Sequence, residues 1–150
     1  MVIFTFREYG LFLIKTHKII INMGNNNSIN NNNYSNKVII PIITYVNIDI
    51  NRSIIYEENR NKSGIYRLVN KVNGKSYVGS SVSLSNRLSA YYNLSSITLK
   101  VKGSIIIYRA LLKYGYKNFN LDIIEYCEPN QLIKREQYYI DLFKPEYNII

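Results

Sequence analysis

Two tyrosines, an arginine and a glutamate in the second half of the chain have the types and spacing for phosphate chemistry. Tyr66 and Tyr77 lie on the two arms of "SGIYRLVNKVNGKSYVGSS" (residues 63 to 81), with Gly64 before one and Gly79 after the other. The Asn73-Gly74 pair between the arms is a strong hairpin signal, because both central residues of a type I′ turn need positive φ. With those two as the loop, Asn70 pairs with Tyr77 and Leu68 with Gly79. Side chains alternate faces along a strand, so Tyr66, Leu68 and Asn70 share a face with Tyr77 and Gly79. A slip of two residues keeps that parity and a slip of one destroys it. Gly79 then leaves a hollow beside two tyrosines. Taken alone, the hairpin is equally consistent with two half-buried core tyrosines, which strands favour.

Glu136 is the carboxylate of interest. It has Leu132 and Ile133 four and three positions before it and Tyr139, Ile140 and Phe143 after it, on one helical face. An ionised carboxylate there is costly unless it pairs with an arginine or binds a metal. The first alternative is structural. The second makes Glu136 a ligand for a hard divalent cation. Arg87 lies beside a Leu84, Leu88 and Tyr91 or Tyr92 stripe. Its planar fork suits a phosphate, although an exposed helical arginine is the plainer account.

The elements that must position these residues follow from period and punctuation. Gly64 to Asn70 and Ser76 to Ser80 are the hairpin arms. Ser83 to Asn93 reads as a helix with Ser83 as N-cap. Ser104 caps a second helix, which Gly115 ends. Asn118 to Tyr126 places Phe119, Leu121 and Ile123 at period two, a third strand. Pro129 opens a third helix and Pro145 stops it. The order β-β-α-α-β-α predicts an α/β domain over residues 62–150, with a small, three-stranded, mainly antiparallel sheet flanked by three helices.

Residues 1–61 differ. The tract from Asn22 to Asn36 holds nine asparagines in fifteen residues and reads as disordered linker. "LFLIKTHKIII" is too short and too charged to span a membrane, and reads as a poor targeting segment or the tail of an upstream reading frame. Val38 to Ile48 is strand-like, with Pro41 demoting it to an edge or a bend. No function is assigned to this extension.

The whole chain of 150 residues carries a net charge of +9. Residues 62–150 hold 13 Lys and Arg against 6 Asp and Glu, so +7 of it, while residues 1–61 hold 6 against 4. Such a balance favours a polyanion, nucleic acid before an anionic membrane surface. The single cysteine, Cys127, excludes an intrachain disulfide and reads as a small buried residue. With one histidine, His17, there is no zinc constellation. Phe, Ile, Asn, Lys and Tyr fill 78 positions, which points to an A/T-rich genome such as that of an organelle.

"GIY", ten residues, then "YVG", followed by "SLSNRLSAYY", "ALLKYGYKNF", "REQYYID" and "KPEYNI", resembles the GIY-YIG nuclease family over residues 62–150. In detail it is most similar to homing endonucleases encoded in group I introns of fungal mitochondria. That resemblance implies a metal-dependent DNA endonuclease acting on double-stranded DNA, using Mg²⁺ or Mn²⁺, and encoded in a mitochondrial genome. It implies Tyr66 as general base or water-orienting residue and Tyr77 as the second active-site tyrosine. Gly64 and Gly79 would let backbone and phosphate approach. Arg87 would stabilise the transition state, Glu136 would hold the metal, and Asn148 would help hold the site. Tyr91 falls where members carry His or Tyr near the leaving phosphate. "YVG" for "YIG" is a conservative departure. Homing members usually continue into DNA-binding modules; here the expectation is a truncated or decayed frame, or targeting supplied elsewhere. The rival reading is a non-catalytic or degenerate nucleic-acid binder, such as an intron-splicing helper contacting intron RNA.

The chemistry hangs together. Phosphodiester cleavage needs an oriented water, a proton acceptor, positive charge and a stabilised leaving oxygen. Tyrosine is a poor base at its free pKa of about 10, so Arg87 or the metal has to lower it. The expectation is that Tyr66, Tyr77, Arg87 and Glu136 converge on one cleft.

Overall fold

The computed structural model describes residues 2–6, 9–15, 18–20, 39–93 and 105–148, the first three ranges by backbone alone. The Asn-rich tract, His17 and the expected Ser104 cap lie outside these residues. Among the described residues, seven strands form one antiparallel sheet. They are β1 (Val2–Phe6), β2 (Tyr9–Lys15), β3 (Lys18–Ile20), β4 (Ile43–Tyr45), β5 (Gly64–Asn70), β6 (Ser76–Ser81) and β7 (Phe119–Tyr126), in the order β1-β2-β3-β4-β7-β5-β6. Helices are α1 (Arg52–Glu58), α2 (Leu84–Ala90), α3 (Ile105–Tyr114) and α4 (Leu132–Phe143), with 3₁₀ turns at Tyr116–Asn118 and Pro129–Gln131.

The three predicted strands are the heart of the sheet, with β5 central between β7 and β6. Period two sorts their side chains. Tyr66, Leu68, Tyr77, Phe119, Leu121 and Ile123 enter one core with Ile55, Leu84, Leu88, Ile107 and Leu111 from α1, α2 and α3. Ile65, Val78 and Ile124 enter the second core, against Leu132 and Tyr139 of α4. The sheet is therefore sandwiched, and α4 lies across it from α2. Tyr139 Oη and Arg135 Nε each donate to the Glu125 carboxylate at 2.8 Å, which docks α4 on β7.

The hairpin keeps the expected parity but not the expected register. Leu68 pairs with Tyr77 and Tyr66 with Gly79, two residues from the arrangement an Asn73-Gly74 loop implies. Only Gly74 has positive φ (74°); Asn73 does not, so no type I′ turn forms. Side chains explain the longer loop. Asn70 Oδ1 accepts from Val72 N–H, Asn73 Oδ1 accepts from Lys75 N–H, and both amides donate to Tyr147 Oη. Each asparagine thus builds its own local turn.

Gly64 is needed for a close approach. It sits opposite Tyr126 beside the register shift between β5 and β7, and a Cβ there would lie 2.2 Å from the Glu125 carbonyl oxygen. That neighbour is backbone in the middle of the sheet, so any side chain forces the central ladder apart. The role seen here is strand packing.

The strand-like run Val38 to Ile48 contains β4, and α1 follows it within residues 39–61. β4 pairs with β7, and Tyr45, Ile48 and Ile55 are fully buried in the first core. Tyr45 Oη donates to Glu58 at 2.7 Å, and Asn59 bridges the hydroxyls of Tyr45 and Tyr126. β4 starts two residues after Pro41, where proline no longer removes a ladder donor. Among the described residues no helix is long and apolar enough to cross a membrane.

Candidate active site

Three of the four predicted side chains meet on the first face. Arg87 Nε donates to Tyr66 Oη at 3.1 Å, and the Tyr66 and Tyr91 hydroxyls are 2.7 Å apart. The Arg87 guanidinium also lies 5.3 Å from the centre of the Tyr91 ring. Tyr77 packs beside Tyr66, ring centres 6.3 Å apart and tilted. α2 supplies this geometry because Leu84, Leu88 and Tyr91 face the core and leave Arg87 on the flank of the same stripe. Ser83 stands at the N-cap without a capping side chain; its neighbour Ser81 instead brackets it, Oγ bonding both Ser83 N–H and C=O.

Gly79 has a definite role. A Cβ there would lie 2.6 Å from Tyr66 Oη and 2.9 Å from Tyr77 Cε1. The expected hollow is filled by the Tyr66 ring, whose hydroxyl end reaches Arg87 only because residue 79 has no side chain.

The two motif tyrosines are in different states. Tyr66 is fully buried and its hydroxyl is committed to Arg87 and Tyr91. Burial raises its pKa well above the ordinary tyrosine value, with Tyr77 adding to the rise and Arg87 opposing it. Tyr91 is pushed up in the same way, chiefly by burial. Tyr77 keeps 6% exposure, and its hydroxyl makes no hydrogen bond among the described residues.

Glu136 stands apart from this group. It rises from α4, in the layer on the other side of the sheet, and accepts the Ser80 hydroxyl at 2.5 Å. Among the described residues it forms no ion pair, so the structural arginine partner is not seen. Its apolar stripe is narrower than predicted: Leu132 and Tyr139 are buried, but Ile133 is 85% exposed. The four residues therefore do not share one contact group. Tyr66, Tyr77 and Arg87 lie on one face of β6, and Glu136 grips the next residue after Gly79 from the other. A single half-buried carboxylate with a hydroxyl on one oxygen suits a hydrated hard cation, which takes one or two protein carboxylates and keeps its waters. No group of three ligating side chains occurs among the described residues.

Asn148 acts on the backbone. Its amide donates to Val78 C=O at 2.8 Å and accepts from Val78 N–H at 2.9 Å. Glu146 and the Tyr147 N–H satisfy Ser76 in the same way. Residues 146–148 thereby stand in for a neighbouring strand along the β6 edge, and Ser80 is the next outward residue. Two members of the site were missed from sequence. Ser80 carried a signal, since it is adjacent to Gly79 and on the opposite parity to Tyr77. Tyr108, whose ring is 5.0 Å from Tyr91, was hidden in the apolar stripe of α3.

Buried tyrosines make the fold alkali-sensitive. Tyr45, Tyr66 and Tyr91 are raised above the ordinary value, mainly by burial, and Tyr139 is pushed up to about 12. In the unfolded chain each loses its proton near pH 10. Raised folded values mean stability is complete below that pH and is lost above it. Urea midpoints should be level from pH 8 to about 9.5 and fall steeply beyond about 10, each tyrosine contributing about 1.4 kcal/mol per pH unit. A level profile to pH 11 would contradict the burial of these hydroxyls.

The family model described as the GIY-YIG catalytic domain matches residues 62–148, and the chain belongs to that family. It is similar to the probable intron-encoded endonuclease bI1 of Neurospora crassa, with 31% identity over 118 residues, 71% of this chain and 25% of that protein. The chain thus spans about a quarter of that relative's length. Two solved structures are also similar. The catalytic domain of homing endonuclease I-TevI shows 29% identity over 58% of this chain and 94% of that one, with a TM-score of 0.47. A point mutant of the catalytic domain of intron endonuclease I-TevI shows 30% identity over 58% and 89%, with a TM-score of 0.48.

Proposed function

We propose that the chain is a divalent-metal-dependent DNA endonuclease of the homing type, hydrolysing one phosphodiester per site. The observation that supports it best is the Arg87–Tyr66–Gly79 assembly, with Glu136 held at Ser80, the next residue of β6. The A/T-rich residue usage and the relative named as intron-encoded support an intron in a mitochondrial genome as its source.

In this reading Arg87 offsets the negative charge that builds on the phosphate, since guanidinium keeps its proton and matches phosphate geometry. Tyr66 orients Arg87 and takes no proton, because its hydroxyl is committed and burial opposes its ionisation. Tyr77, with its free hydroxyl, contacts the attacking water or the phosphate. Glu136 would hold a hydrated Mg²⁺ or Mn²⁺, which supplies positive charge and an acidified water. Ser80 orients the Glu136 carboxylate, and Asn148 keeps the strand between the two half-sites in place. Positive charge over residues 62–150 attracts the DNA backbone with strong salt dependence.

The test is nicking of supercoiled plasmid. Cleavage is expected with Mg²⁺ in the millimolar range, as suits a site with few protein ligands, and none in excess chelator. DNA retardation without nicking in Mg²⁺ or Mn²⁺ would sink the enzymatic reading and leave a nucleic-acid binder.

A further inference from the structure

Arg52 lies before residue 62, where the family match begins, yet its side chain is built into the support of the active-site helix. Its guanidinium carbon is 4.4 Å from the centre of the Tyr92 ring and 5.5 Å from that of Tyr116. Those two rings are 5.0 Å apart and lie at 34° to one another. Asp49 holds the other side of the guanidinium through an ion pair of 2.5 Å. Tyr92 Oη donates to Ile48 C=O at 2.6 Å, so the segment from Ile48 to Arg52 grips the residue that follows Tyr91 at two points.

The contacts continue inward. Tyr116 Oη donates to the Tyr91 carbonyl at 2.5 Å. Tyr91 in turn bonds Tyr66 Oη through its hydroxyl, beneath the Arg87 guanidinium. From Arg52 to Arg87 there is an unbroken path: cation on rings, hydroxyl on the Tyr91 backbone, Tyr91 hydroxyl on Tyr66, Tyr66 on Arg87. Tyr91 is the C-cap of α2, where a short helix frays first. Seven helical residues cannot hold their own end in water. The clamp from α1 supplies what the helix lacks.

We propose that Arg52 is a positioning residue for the nuclease site, and that residues 48–52 form part of the catalytic unit by fixing the end of α2 that carries Arg87 and Tyr91. The proposal rests on the nuclease reading for its kinetic arm only. Rings held by a cation align the helix end; without the cation, Tyr92 and Tyr116 separate from α1, and Arg87 loses its fixed partner. Misplacement of a reacting group by an ångström or so slows catalysis by up to about 10²-fold, so a partial loosening should cost about tenfold.

The experiment uses the full chain as wild type, Arg52→Ala and Arg52→Lys, with circular dichroism confirming equal folded fractions at the assay temperature. Arg52→Ala should lower kcat for plasmid nicking about tenfold at unchanged KM, and Arg52→Lys, which keeps a cation over the rings, should recover most of it. In parallel, the Arg87 side-chain Nε–H signal in nitrogen-15 spectra should exchange with water faster in Arg52→Ala than in wild type or Arg52→Lys. Unchanged kcat in a protein that nicks, or unchanged Arg87 Nε–H exchange in any case, overturns the proposal. A loss of kcat that only tracks a loss of folded protein also overturns it. A wild type that does not nick defeats the nuclease reading instead, and the exchange measurement then decides the role of Arg52 by itself.

Discussion

Arg87→Ala is expected to slow plasmid nicking about 10³-fold, with a much smaller change in KM. The guanidinium is half-buried and fixed by Tyr66, so it needs no reorganisation when charge develops on the phosphate. A charge already in place within a partly dry site is worth far more than one in water. Deleting one such donor typically costs two to three powers of ten, roughly 10²–10³. Arg87→Lys should recover only a small part of the loss, because an ammonium lacks the planar fork and cannot keep the Nε bond to Tyr66 while also reaching a phosphate. Initial rates across a plasmid concentration series check this. Nicking by Arg87→Ala within tenfold of wild type would remove Arg87 from the chemistry.

The second large effect is expected from Glu136→Gln. The substitution keeps shape, and Ser80 Oγ can still donate to the amide oxygen, so folding should be unaffected. What it removes is the negative charge. A cation polarising a phosphate supplies several kcal/mol, so its loss corresponds to about 10²–10³ in rate. Activity at fixed Mg²⁺ should fall by that amount. Mn²⁺ binding, followed by the loss of the free-ion signal in electron paramagnetic resonance, should weaken in parallel. Full nicking by Glu136→Gln at low Mg²⁺ would show that the cation is held elsewhere. Ser80→Ala should give a milder version of the same change, since the carboxylate survives and only its orientation is released.

The parts of the site legible from sequence were those set by local periodicity. Tyr66, Tyr77 and Gly79 share a face because strands alternate, and that holds under the two-residue difference in register. The register itself was not legible, since it depends on Asn70 and Asn73 meeting Tyr147, more than seventy residues away. Glu136 was identifiable by its type and helical face, yet helical period says nothing about which side of the sheet the helix covers. Ile133 looks like a core residue on the helical wheel and is exposed, because α4 meets the sheet along Leu132 and Tyr139, with Ile140 and Phe143 partly buried beside them. In the extension the strand-like run was legible but the bounds of β4 and the whole of α1 were not. β4 is three residues long and α1 seven, too short for a clear period, and both owe their structure to β7 and the first core. Cys127, expected to be buried, is half-buried at the end of β7.

The β6 edge has a bearing on when the protein becomes competent. Ser76 and Val78, which flank Tyr77, find their outward partners only in residues 146–148. During synthesis the hairpin, α2 and their tyrosines leave the ribosome first, with that edge still open. At about 5–20 residues per second the remaining stretch takes several seconds to emerge. For that interval the nascent site strand lacks its last neighbour, and Ser80 waits for Glu136, which lies in the stretch still to emerge. On the nuclease reading proposed above, cleaving power would arrive only with the closure of that strand edge, a delay between translation and activity set by the fold.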